Sequence, residues 1–283
     1  MDTHEHWNIT GFDAVIGNPP YNANSTNKGS GHKLWDKFME KGIQEWCSDS
    51  GYVVYVHPSL WRQPGKKIFT AVKQYDLQYL NINNEKEGLK QFKCATRFDW
   101  YLLKKSKYSG QTHINDENQT ETAINIKNWD FIPNGYFNDV FNIIDKYNCH
   151  HIISDRSNYG ADKKWVSKTK TGEFKYPVVY SLYKNGSIQF RYSNTFDRGH
   201  FNIPKVIFTP NLGLNNLIDQ TGEYGLTQWV MAICDDPENL QQITTIFKNE
   251  KFKNILKAIK FGMYYNGNII KMFKKNFWKD FVN

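Results

Sequence analysis

Asn18-Pro19-Pro20-Tyr21 places a side-chain amide, a carbonyl stiffened by proline and an aromatic ring side by side. The Asn18 oxygen and the Pro19 carbonyl can both accept hydrogen bonds, and neither proline has an N–H to compete. Two acceptors suit the two protons of one NH₂ group. An exocyclic amine that donates both protons in this way loses conjugation with its ring. Its lone pair becomes a better nucleophile, and charge developing on nitrogen is stabilised. The Tyr21 ring can stack on a flat substrate. Attack by a planar, nitrogen-bearing molecule is the chemistry this stretch can serve.

Such a grip needs a rigid support. Asp13 to Gly17 reads as a short apolar strand that Pro19 and Pro20 cannot continue. Leu34, Trp35, Phe38, Met39, Ile43 and Trp46 recur at helical spacing, which predicts a helix over 33–47 with one buried face. Tyr52 to Val56 is continuously apolar, as in a strand covered on both faces. A weaker helix is expected over 66–74, then strands near 77–82 and 98–103, with a polar loop over 85–90. This alternation predicts an α/β sheet of three layers, in which ligands sit at the carboxyl ends of the strands, where Asn18 to Tyr21 falls. Residues 106–123 are polar and without period, so a linker or exposed loop is expected there. Beyond it, 137–144 reads as a helix, 165–208 as β-rich, and two more helices are expected from Asp236 to Phe247 and across Phe252 to Ile259.

The chain has 283 residues, 40% of them hydrophobic, enough for a substantial core. It shows neither a long uncharged apolar run nor a signal peptide, so the expectation is a cytoplasmic protein with no membrane segment. Cys47, Cys94, Cys149 and Cys234 form no paired motif, and Cys149-His150-His151 lacks a second ligand cluster, so no metal is expected. The net charge of +8 accompanies an aromatic fraction of 16%, a combination that suits a partner with phosphates and bases. Charge is concentrated late: residues 248–283 hold nine lysines against Glu250 and Asp280. Rings interleaved there single out Lys271, Lys274 and Lys275 as candidate DNA contacts.

With its flanks, "FDAVIGNPPYN", "HKLWDKFMEKGIQEW", "GYVVYVHPSLWR" and "LKQFKCATRFDWYLL", the sequence resembles the N6-adenine-specific DNA methyltransferases of the Eco57I and TaqI group, most clearly over 12–105. The resemblance implies a partial Rossmann-like methyltransferase sheet (1–106) followed by a mixed α+β target-recognition domain (107–283). It implies double-stranded DNA as partner and S-adenosylmethionine as methyl donor. Carried over by position, Asn18 and Pro19 accept from adenine N6, with Pro20 completing the loop. Tyr21 stacks on the flipped base and Phe92 packs against its other side. Flipping is required because N6 of a paired adenine is engaged in the duplex.

One departure stands out. In that family the Gly-rich turn and acidic residues of the donor site precede the Asn-Pro-Pro-Tyr motif, yet only seventeen residues precede Asn18. A βαβ unit alone takes about 30 residues. The expectation is a chain inactive by itself, with a second polypeptide supplying the donor half. A non-catalytic DNA-binding or specificity module, or a remnant, is the alternative. A glutamine-amide or RNA methyltransferase fits less well, because a long basic and aromatic extension follows the catalytic stretch.

Overall fold

The structure is a computed structural model that describes residues 9–22, 34–211, 214–262 and 264–282. The first residues of the expected 33–47 helix and of the N-terminus lie outside this set. The chain divides into two compact units, 1–135 and 136–283.

The first unit is a mixed α/β layer with a parallel-containing sheet of order β1-β2-β4-β3-β5-β6. Strand β1 (Phe12–Gly17) runs parallel to β2 (Cys47–Pro58), and helix α1 (Trp35–Lys41) with a π turn (Gly42–Trp46) connects them. Strand β4 (Phe98–Lys107) is antiparallel to both β2 and β3 (Tyr75–Asn83). Trp35, Met39 and Ile43 are buried beneath α1, as their spacing demands. Gly42 packs against the Tyr55 hydroxyl so closely that any Cβ would collide with it. Helix α2 (Lys67–Val72) sets Phe69 edge-on to Trp61, with centroids 6.1 Å apart.

Two expectations are corrected. The polar loop expected over 85–90 is helix α3 (Glu85–Phe92). The Asn84 side chain caps it by accepting from the N–H groups of Lys86 and Glu87, and Lys93 closes it in a left-handed conformation. Only Gly88 is buried in it, so no apolar stripe betrays the helix in the sequence. The linker expected over 106–123 contains β5 (Thr112–Asn115) and β6 (Glu121–Ile124), which extend the sheet beyond β3. Its polar residues make the turns: Asp116 accepts from the N–H groups of Asn118 and Thr120, and Thr112 donates to the Leu77 carbonyl. The first compact unit therefore runs to Gly135 rather than ending at 106.

The sheet's layering also differs from the expectation. Val53, Tyr55, His57, Asp99, Tyr101 and Leu103 line one buried face. On the opposite face Ile16 is 75% exposed, and Tyr52 and Trp100 are both open to solvent. Among the described residues β1 is an edge strand.

The second unit holds two four-stranded sheets, β13-β9-β10-β8 and β12-β11-β14-β7. Strand β7 (Ile152–Ile153) precedes the segment expected to be β-rich, and β8 (Val166–Ser167), β9 (Tyr176–Leu182), β10 (Ile188–Ser193) and β11 (Lys205–Phe208) fall within it. Strands β12 (Asn216–Asp219), β13 (Gly225–Leu226) and β14 (Met231–Cys234) complete the sheets. Ile153, Val179, Ile207, Leu226 and Ala232 form their core. Helices α4 (Phe137–Ile143), α5 (Leu240–Ile246), α6 (Glu250–Ala258) and α7 (Gly267–Ile270) follow the apolar spacing. No described helix is long and apolar enough to cross a membrane.

Candidate functional site

Asn18 to Tyr21 leaves the carboxyl end of β1, beside the end of β2, where His57 lies opposite Asp99 on β4. Asn18 is exposed and Pro19 buried. Neither the Asn18 side chain nor the Pro19 carbonyl is engaged by another described residue. Both acceptors of the predicted grip are thus free to receive donors. The backbone is pinned two residues after Pro19, where the Leu34 N–H donates to the Tyr21 carbonyl at 3.1 Å.

Tyr21 stands half-buried with its hydroxyl pointed inward, where that oxygen has no hydrogen-bond partner. Burial first, and the Asp99 carboxylate second, push the phenol pKa up to about 12. The group is therefore a neutral ring at physiological pH, suited to stacking and not to proton transfer. Tyr21 makes no ring contact with another described residue.

Beneath the loop lies an aromatic nest that sequence reasoning did not single out. His57 is fully buried, stacked on Tyr101 with centroids 5.8 Å apart and planes at 10°. Trp35 and Tyr55 meet its edges at 5.7 and 5.3 Å. Neither ring nitrogen has a hydrogen-bond partner, and burial drives the imidazole pKa down to about 3. The only hint in the sequence was position: His57-Pro58 ends a strand at the same rim as Asn18.

Arg97 and Asp99, close in sequence, do not pair with each other. Asp99 is fully buried and gripped by Arg62, through Nε at 2.6 Å and Nη2 at 3.0 Å, while Trp61 Nε1 donates at 2.8 Å. Arg97 instead binds Glu117 at 2.5 Å and Glu85 at 3.0 Å, tying β4 to α3 and to the β5–β6 turn.

Phe92 ends α3, is 39% exposed and packs edge-on against Phe98 with centroids 4.8 Å apart. Phe98 opens β4 opposite Pro58, so Phe92 shares the rim with Asn18 to Tyr21 without touching Tyr21. In the second unit, Lys274 is paired with Asp280 at 2.8 Å, whereas Lys275 is exposed and Lys271 half-buried. The rings between these lysines, Phe273, Phe277 and Trp278, are buried core and not a stacking surface, which corrects the basis on which the three were chosen. No metal-ligating group of three or more side chains occurs among the described residues.

S-adenosylmethionine does not fit the described residues of this rim alone. Buried Asp99 and half-buried Glu117 are consumed by Arg62 and Arg97, so neither is free to hold a ribose.

Residues 2–87 match the family model "Eco57I restriction-modification methylase". No curated protein matches the chain. Among solved structures, the Type IIL restriction-modification enzyme MmeI in complex with DNA is similar at 8% identity, covering 91% of this chain and 45% of its own, with a TM-score of 0.43. The type IIG restriction endonuclease BpuSI is similar at 10% identity over 92% of this chain and 46% of its own, with a TM-score of 0.38. A class I S-adenosylmethionine-dependent methyltransferase of Listeria monocytogenes is similar at 14% identity over 37% and 35% of the two chains, with a TM-score of 0.28. The chain spans less than half the length of these solved proteins. The segment similar to a restriction-modification methylase contains Asn18 to Tyr21, His57 and Arg62, and Phe92 and Asp99 lie beyond it.

Proposed function

We propose that this chain carries the base-binding half of a site-specific DNA methyltransferase acting on adenine N6. Asn18 Oδ1 and the Pro19 carbonyl accept the two amino protons of a flipped adenine, Tyr21 stacks on the base, and Phe92 closes its other side. The observation that carries this reading is the stance of the loop: two free acceptors beside a half-exposed ring whose hydroxyl is turned inward. His57, neutral and wedged among rings, supports the loop from below and takes no proton.

S-adenosylmethionine supplies the methyl in enzymes of the family the sequence resembles. Its site is assigned to polypeptide outside the described residues, a second chain or a further segment. The unpaired edge of β1 and the apolar face at Ile16 support that arrangement. The consumed carboxylates favour, as a second reading, a module that binds DNA without catalysis.

The test is to express the coding region in its native genomic context in a host free of adenine methylation and analyse the DNA by mass spectrometry. N6-methyladenine that disappears with Asn18→Ala is the expected result. Methylcytosine, or no modified base, overturns the catalytic reading.

A further inference from the structure

The structure uses the two basic stretches of the second unit differently. In residues 248–283, Lys251, Lys253 and Lys274 are paired with Asp139, Glu250 and Asp280, and the rings beside Lys271, Lys274 and Lys275, namely Phe273, Phe277 and Trp278, are buried. Residues 163–198 hold eight Lys and Arg against Glu173 and Asp197. Among the described residues, none of those eight cations is in an ion pair.

Their neighbouring rings are half-buried or exposed. The Arg198 guanidinium lies 3.7 Å from the centre of the Trp165 ring, and Trp165 Nε1 is fixed by donating to the Asn158 carbonyl at 2.7 Å. Lys175 lies over Tyr176 at 5.2 Å, and Tyr176 meets Phe196, which is 48% exposed, at 5.2 Å. The ladder brings these groups together. Ser193 of β10 pairs with both Val166 of β8 and Tyr176 of β9, and the Asn194 N–H donates to the Trp165 carbonyl. Lys168 and Lys170 are exposed on the loop that joins β8 to β9 at the same end.

Stacking holds a cation in place before any partner arrives, which lowers the ordering cost of binding. A guanidinium lying flat on a ring keeps its N–H edge open to phosphate oxygens. Duplex DNA presents about one negative charge per 1.7 Å of axis, the partner best matched to clustered, unpaired cations with an exposed ring among them.

We infer that the β8–β10 end of the second unit, centred on Lys168, Lys170, Lys175, Phe196 and Arg198, is the surface on which this chain holds the backbone of double-stranded DNA. The inference rests on the DNA-directed reading above and displaces Lys271, Lys274 and Lys275 as the principal contacts.

The experiment measures binding of the full chain to a fluorescein-labelled duplex by anisotropy, from low to moderate salt. The triple variant Lys168→Ala/Lys170→Ala/Lys175→Ala should weaken binding at least tenfold. If each lysine meets one phosphate, it should also flatten the slope of log K against log salt by about 2.7. Phe196→Ala should weaken binding without changing that slope. The C-terminal triple Lys271→Ala/Lys274→Ala/Lys275→Ala should change it little. Circular dichroism checks that each variant keeps the parent fold. A parent chain that binds no duplex, a first triple that binds like the parent, or equally tight binding to polyglutamate overturns the inference. Binding through this surface without methyl transfer leaves it standing and removes only the catalytic reading.

Discussion

Arg62 and Asp99 face each other fork to fork in a solvent-free site, Nε to Oδ2 at 2.6 Å and Nη2 to Oδ1 at 3.0 Å. The remaining guanidinium protons reach the Ile132 carbonyl at 2.6 Å and Asn134 Oδ1 at 2.9 Å. One residue thereby fastens the end of β2 to β4 and to the last turn of the first unit. Removing one partner leaves a buried charge alone, so Arg62→Met should destabilise by about 3–5 kcal/mol. Urea denaturation of the single variants and of the double variant with Asp99→Leu measures it, and the double variant should recover much of the loss.

His57 gives stability a pH dependence with a definite sign. Its folded pKa, about 3, lies below the ordinary value of 6.5, so the unfolded chain binds the proton more readily. This contribution is intact above pH 6.5 and is lost as pH falls towards 3. By pH 5 the loss amounts to about 2 kcal/mol. Denaturation midpoints at pH 7 and pH 5 should differ less in His57→Phe than in the parent. An equal difference in both proteins would show that other groups set the acid sensitivity.

Tyr21 separates ring from hydroxyl. Its buried oxygen has no partner, so Tyr21→Phe should leave stability unchanged or slightly raised and methylation intact. Tyr21→Ala removes the stacking face and should lower methylation strongly. On the proposed reading, Asn18→Ala removes an acceptor for the reacting nitrogen and should cost on the order of 10²–10³ in rate. All three are measured on the native-context enzyme. A Phe variant as poor as the Ala variant would mean that the hydroxyl takes part.

Gly42 is a packing position and not a hinge. Gly42→Ala drives a methyl into the Tyr55 ring and hydroxyl and should cost about 1–3 kcal/mol. Tyr55→Phe in the same chain should recover part of that loss in thermal unfolding. Full tolerance of alanine at 42 would mean that α1 shifts freely on β2.

Periodicity made much of the scaffold legible. The Trp35–Met39–Ile43 stripe announces α1, and Tyr52 to Val56 announces the strand that carries His57. Helix α3 escaped because its apolar residues Leu89 and Phe92 face solvent, and β5 and β6 escaped because turn-forming polar groups dominate short strands. The proposed grip at Asn18 to Tyr21 rests on residue chemistry, since its acceptors and ring are contiguous in the sequence. The Arg62–Asp99 pair could not, because a contact across two strands leaves no mark in local spacing. The opposite error occurred at Phe273, Phe277 and Trp278, where rings beside lysines looked like a surface and proved to be core.

Strands β5 and β6 bear on how the molecule can be cut. Tyr79, Leu80 and Asn81 of β3 pair in parallel with His113, Ile114 and Asn115. The Tyr108 hydroxyl binds the Ile124 carbonyl and receives the Ile126 N–H. A fragment ending at residue 106 would bare the hydrogen-bonding edge of β3 and is expected to collect in inclusion bodies. The shortest soluble N-terminal fragment should extend to Gly135.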